Sequence, residues 1–122
     1  MQSTDPFLKL VNDAKQRIKE LSIEESAALI QHHPATIIID VRERHEYEQG
    51  HIPHAIHLSK GMIEIKIVPT VPDNTQTLLL YCGGGYRSAL AADNLQKMGY
   101  SNVISMNGGF SGWVQAGLPV EG

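Results

Sequence analysis

A second cysteine is missing from this chain. Cys82 stands alone among 122 residues. That excludes an internal disulfide framework, and any zinc or iron–sulfur site built from several cysteines of one chain. No apolar run approaches the roughly 18 residues of a membrane span, and Met1–Pro6 lacks the basic-then-apolar pattern of a secretory signal. The protein is therefore expected to be soluble and cytoplasmic, where a lone thiol stays reduced. There is no excess of basic charge either. Ten Lys and Arg face thirteen Asp and Glu, for a net charge of −3, so no nucleic-acid partner is expected. Lys15, Arg17 and Lys19 are interrupted by other residues and read as a solvated face. Repeats and low-complexity tracts are absent. These exclusions leave Cys82 three roles: buried filler, partner in an intermolecular disulfide, or reactive thiol.

What is present reads as one globular domain. Hydrophobic residues make up 42% and charged residues 19%, a balance that supports a core and argues against disorder. Asp5-Pro6 is an N-cap followed by a first helical residue, and Phe7, Leu10, Val11 and Ala14 recur at helical spacing to about Gln16. A short strand fits Ile18–Leu21. Ser22 and Glu25 make a capping box for a helix that stops near His33-Pro34. Thr36–Val41 and Thr77–Tyr81 are apolar and fit strands buried on both faces, as in a parallel sheet. Arg42–Gly50 reads as a loop with a short helix, Ala55–Leu58 as a short strand, Lys60–Val68 as a helix and Pro69–Asn74 as a loop. Ser88–Met98 is a helix stopped by Gly99. Asn102–Met106 is a last strand, and Gly108–Gly122 a Gly-rich tail. Alternating strands and helices predict an α/β fold with a mainly parallel sheet.

Cys82 is the first residue past the second buried strand, where ligands of open α/β sheets sit. Gly83, Gly84 and Gly85 follow it. A glycine run carries an entropic cost that a turn with converging amides would justify, because such a turn makes a nest for an anion. The helix expected from Ser88 adds its positive dipole end, and Arg87 adds a fixed charge. The same features are expected to make the Cys82 thiol ionise more readily than a free one. The loop would then supply a nucleophile and an anion receptor in one cup, with Tyr86 at its exposed tip.

Cys82-Gly83-Gly84-Gly85-Tyr86-Arg87-Ser88 resembles the Cys-x-x-Gly-x-Arg-Ser loop of the rhodanese family. Asp40-Val41-Arg42-Glu43, with Glu46-Tyr47 and Gly50-His51-Ile52-Pro53-His54-Ala55, is similar to its N-terminal signature. Gly108-Gly109-Phe110-Ser111-Gly112-Trp113 is similar to its C-terminal one. The resemblance covers about residues 17–122 and leaves 1–16 as an N-terminal amphipathic helical extension. It implies a three-layer α/β fold, with a five-stranded parallel sheet flanked by helices on both faces. It also implies a sulfurtransferase that carries a persulfide on Cys82, with no cofactor. The partners would be a small sulfur-containing anion such as thiosulfate, an acceptor such as cyanide or a thiol, and in some settings a protein that donates or accepts sulfur. Gly83, Gly84, Gly85, Tyr86, Arg87 and Ser88 are the expected anion-binding residues. The family usually has Gly where this chain has His54, and often has polar or charged side chains where it has Gly83 and Gly84.

Two other classes remain as alternatives. One is a carrier or interaction module that uses the same loop but is loaded by a partner protein. The other is a cysteine phosphatase or arsenate reductase. Phosphatases of related architecture place five residues between Cys and Arg, whereas four separate Cys82 from Arg87. Asp40 and Arg42 flank a strand end and are expected to pair as scaffold. His51, His54 and His57 recur every three residues, but Pro53 breaks any helix between them, so no metal is expected and His51 reads as structural. Phe110 and Trp113 read as packing residues.

Overall fold

The computed structural model describes residues 5–122. Five strands, β1 (Lys19–Leu21), β2 (Ile37–Asp40), β3 (Ile56–His57), β4 (Leu78–Tyr81) and β5 (Val103–Met106), form one parallel sheet in the order β1-β5-β4-β2-β3. The helices are α1 (Pro6–Lys15), α2 (Ile23–His32), α3 (Arg44–Gln49), α4 (Ile63–Thr70), α5 (Tyr86–Lys97) and α6 (Gly109–Gln115). Side chains alternate across the sheet. Leu78, Leu80 and Cys82 pack on one face with Ile63 and Ile67 of α4 and Ala91, Ala92 and Leu95 of α5. Leu79 and Tyr81 pack on the other with Leu29 and Ile30 of α2 and Trp113 of α6. This is the α/β fold with a parallel sheet that the alternating elements predict, in the three-layer arrangement that the resemblance implies.

The strand order places the site. From β2 the chain moves outward to β3, while from β4 it moves to β5 on the opposite side. The strand order therefore reverses between β2 and β4, and a crevice opens at their carboxyl ends. Cys82 follows β4 there, and Asp40 ends β2 beside it.

The expected helix starts are well supported. The Asp5 carboxylate accepts from the Phe7 amide at 2.8 Å, and the Ser22–Glu25 capping box is complete. Three expectations need correction. The last helix before β5 begins at Tyr86, not Ser88, with Gly85 as its N-cap. The Gly-rich tail contains a helix, α6. The helix expected over 60–68 runs from Ile63 to Thr70 and takes in Pro69. Burial of Ile63 and Ile67 outweighs weak local propensity and the ladder bond that Pro69, which has no N–H, cannot make.

Of the 1–16 extension, residues 1–4 lie outside the described residues. Helix α1 lies against α5, where Val11 and Ala14 bury against Ala89 and Leu90. Arg17 reaches from the end of α1 to the Asp93 carboxylate of α5 at 2.7 and 3.0 Å. Among the described residues no helix is long and apolar enough to cross a membrane.

Candidate active site

The Cys82 side chain is only 1% exposed and sits at the base of the loop that joins β4 to α5. The Gly85 amide donates to its sulfur at 3.1 Å, and the Ser88 hydroxyl lies 3.6 Å away. Ser88 in turn shares a hydrogen bond of 2.8 Å with Ser105 of β5, and both hydroxyls are fully buried. A thiol can donate to Ser88. If the sulfur is ionised, the sense reverses: Ser105 donates to Ser88, and Ser88 to the sulfur. Ser88 and the Gly85 amide, expected among the anion ligands, thus serve the sulfur itself.

Helix α6 holds the loop from behind. The Phe110 amide donates to the Cys82 carbonyl at 2.7 Å, and the Ser111 amide to the Gly83 carbonyl at 3.0 Å. These amides belong to the first turn of α6, where a helix leaves its donors unpaired. All peptide bonds among the described residues are trans, so each N–H points opposite to its own C=O. With the Cys82 and Gly83 carbonyls turned to α6, the Gly83 and Gly84 amides are aimed away from it. The close approach requires glycine at position 109. A Cβ there would lie 2.6 Å from the Cys82 carbonyl oxygen and from the Gly83 carbonyl group, and the residue has φ +57°. Gly85 is also left-handed, at φ +100°, which turns the chain into α5.

Arg87 lies beside the loop, its Nη2 3.1 Å from where a Cβ of Gly83 would stand. Its charge is not free. Nη1 and Nη2 donate to the two Glu46 oxygens at 2.8 and 3.3 Å. The paired guanidinium draws the Glu46 carboxyl down to about 2, so Glu46 is ionised at any neutral pH. Tyr86 stands at the rim, about half exposed, as expected. The Phe7 ring of α1 meets it edge-on at 6.2 Å, and the Lys15 ammonium lies 5.6 Å from its ring centre. Lys15 is paired too, with Glu20 at 3.4 Å.

Asp40 and Arg42 form a buried ion pair. The guanidinium donates to the Asp40 carboxylate at 2.8 to 3.1 Å and to the Gly50 carbonyl at 2.6 Å, while the Arg42 amide donates to Asp40 at 2.9 Å. The Phe110 ring covers the Arg42 guanidinium at 4.2 Å. Burial, then the neighbouring Asp40 charge, push the Tyr81 phenol far above its usual range. It stays neutral and accepts from the Ile52 amide at 3.1 Å. This network ties β2, β4 and the turn after α3 together behind the loop.

The three histidines do not converge. The ring of His51 stacks on Tyr47 with centroids 3.9 Å apart, and its Nδ1 pairs with the Tyr47 carbonyl. His57 Nε2 pairs with the Arg42 carbonyl. His54 is exposed and adopts φ +70°. A left-handed backbone favours glycine there, and histidine is among the side chains that tolerate it better. Trp113 is buried, and its Nε1 donates to Pro119.

The sequence assigns four of these residues no role at the loop, although Glu46 stands in the N-terminal signature. Glu46 and its partner are 41 positions apart, and no local pattern links them. Gly109 and Phe110 were read as signature and packing, not as the support of the loop. Ser105 could have been found: it is a polar residue within the otherwise apolar strand Val103–Met106.

The fold and the loop define a class: an α/β domain with a cysteine in an amide-lined turn at the switch point of a parallel sheet. The family described as Rhodanese-like domain matches residues 22–116, and the chain belongs to it. It is similar to the thiosulfate sulfurtransferase GlpE of Actinobacillus pleuropneumoniae, 32% identical over 84% of this chain and 92% of that protein. It is similar also to the putative sulfur carrier protein YrkF of Bacillus subtilis, 33% identical over 79% of this chain and 51% of that one. Among solved structures, a Rhodopseudomonas palustris protein of unknown function, described as a possible tyrosine phosphatase, is 32% identical with a TM-score of 0.85 over 99% of this chain and 98% of its own.

Proposed function

We propose that this protein is a cytoplasmic sulfurtransferase that passes a sulfane sulfur through a persulfide on Cys82. The observation that carries this is the Cys82 sulfur held by the Gly85 amide and the Ser88 hydroxyl at the base of an amide-lined loop. In the first half-reaction the Cys82 thiolate attacks the outer sulfur of a donor. With thiosulfate, the Cys82–sulfur bond forms as the sulfur–sulfur bond of the donor breaks, and sulfite leaves with the electron pair. Amides aimed at the loop's open side stabilise the charge as it shifts. In the second half-reaction a thiophile, cyanide or a thiol, attacks the outer sulfur of the persulfide and releases the Cys82 thiolate. No second thiol exists in the chain to take the sulfur, so the acceptor is external.

Similarity to proteins named as thiosulfate sulfurtransferase and as putative sulfur carrier supports both halves of this reading. Intact-mass measurement after mixing with a sulfane donor tests it. A gain of one sulfur atom is expected, removed by cyanide and absent in Cys82→Ser. No adduct from any donor, thiosulfate or organic persulfide, would refute it. An adduct formed only with a partner desulfurase would make the protein a carrier. Turnover of an aryl phosphate in place of sulfur loading would move it to the phosphatases.

A further inference from the structure

The loop that holds Cys82 is poor in usable positive charge. Gly83 and Gly84 bring no side chain. Arg87, the cation of the loop motif, is bound through both terminal nitrogens to Glu46 at 2.8 and 3.3 Å. Lys15 at the rim is paired with Glu20 at 3.4 Å. Both cations are paired, and Arg87 is also drawn to the Cys82 sulfur, so an ionised Cys82 would leave one uncompensated negative charge among these five groups. Thiosulfate brings two more. Its sulfonate end must stay outside the loop while its outer sulfur meets a cysteine that is almost fully buried. That end therefore meets the side of the loop where Arg87 is held by Glu46. A persulfide R–S–SH presents the same slender outer sulfur, with at most one charge at that end.

We propose that Glu46 sets the donor class of this site: by neutralising Arg87 it disfavours dianionic donors such as thiosulfate and leaves the loop to organic persulfides. The proposal rests on the sulfur-transfer reading above and narrows its substrate. The step balances. The Cys82 thiolate attacks the outer sulfur of R–S–SH, the Cys82–sulfur bond forms, the sulfur–sulfur bond of the donor breaks, and R–S⁻ leaves with the electron pair. The outer sulfur keeps its proton, giving Cys82–S–SH, and no external oxidant or reductant is needed. Glu46 touches neither sulfur; it acts through Arg87 and is a positioning residue.

The test compares loading of Cys82 from thiosulfate and from glutathione persulfide, read by intact mass over time, in the wild type and in Glu46→Gln. The wild type is expected to load faster from glutathione persulfide. In Glu46→Gln the ratio of thiosulfate to persulfide loading rates is expected to rise about tenfold, the effect of a unit charge about 6 Å away at an effective dielectric of about 40. A purely structural role would slow both donors together, and an unchanged or lowered ratio would overturn the proposal. Salt dependence of the wild type gives a second measurement that needs no variant. Loading from thiosulfate is expected to stay level or quicken from about 20 to about 200 mM salt, because screening relieves repulsion. A several-fold slowing would show an attractive site and overturn the proposal. Loading from neither donor would instead refute the sulfur-transfer reading itself.

Discussion

Position 109 shows how one missing atom shapes the site. The amides of Phe110 and Ser111 reach the Cys82 and Gly83 carbonyls only because no side chain separates α6 from the loop. In Gly109→Ala the new methyl would stand 2.6 Å from the carbonyls of Cys82 and Gly83 on a left-handed backbone. Strain and overpacking together should cost about 2–5 kcal/mol. The urea midpoint should fall accordingly, and sulfur loading of Cys82 should slow in the fraction that still folds. Full loading at wild-type stability would mean that α6 does not hold the loop. Ser105 works at the same scale. A hydroxyl in a buried strand needs a partner, and it finds one in Ser88, which places a second hydroxyl against the sulfur.

Among the elements, α1 and α6 both act on the loop, one from its rim and one from behind. Helix α1 divides its apolar face. Val11 and Ala14 bury against α5, while Leu10 remains more than half exposed and Phe7 about half exposed beside Tyr86. Of the four apolar residues at helical spacing, only Val11 and Ala14 are covered on this domain. Val11→Ala removes two buried carbons and should weaken the docking of α1 by about 1–3 kcal/mol. Amide hydrogen exchange over residues 6–15 reads this directly, and unchanged exchange there would contradict it. Trp113 lies in the other layer, so its fluorescence follows the sheet core separately.

Across the whole molecule, the acid side of the stability curve follows from paired carboxylates. Hydrogen bonding to Arg87 holds Glu46 at about 2, below its ordinary 4.5. Hydrogen bonding to Arg17 lowers Asp93 and Asp13 as well. A carboxyl whose value is lower in the folded state binds fewer protons there than in the unfolded chain. Its contribution is therefore complete above about 4.5 and is lost as pH falls towards about 2. Urea midpoints should drop between those limits, and the drop should be shallower in Glu46→Gln, which has no carboxyl to titrate. An equal slope in the variant would show that this pair does not contribute. Exposure of both partners keeps the effect modest.

Local pattern determined much of this protein. The apolar β-branched run at 36–41, the leucines before Tyr81 and the Ser22–Glu25 box each carry their conformation within a few residues, and the structure follows them. Cys82 and its glycines are equally legible, because cysteine and turn are consecutive. Long-range pairing was not legible. Arg87 reads as a free cation until the fold brings Glu46 to it, and the glycines of 108–122 read as a tail until Gly109 is seen against the loop. Helix α6 has little local propensity, and its first turn is held by carbonyls 28 positions earlier in the chain. Sequence alone therefore determined where the lone cysteine is and what kind of turn holds it. Only the tertiary structure decided how much charge that turn can offer an anion, because charge depends on which groups the fold places within hydrogen-bonding distance.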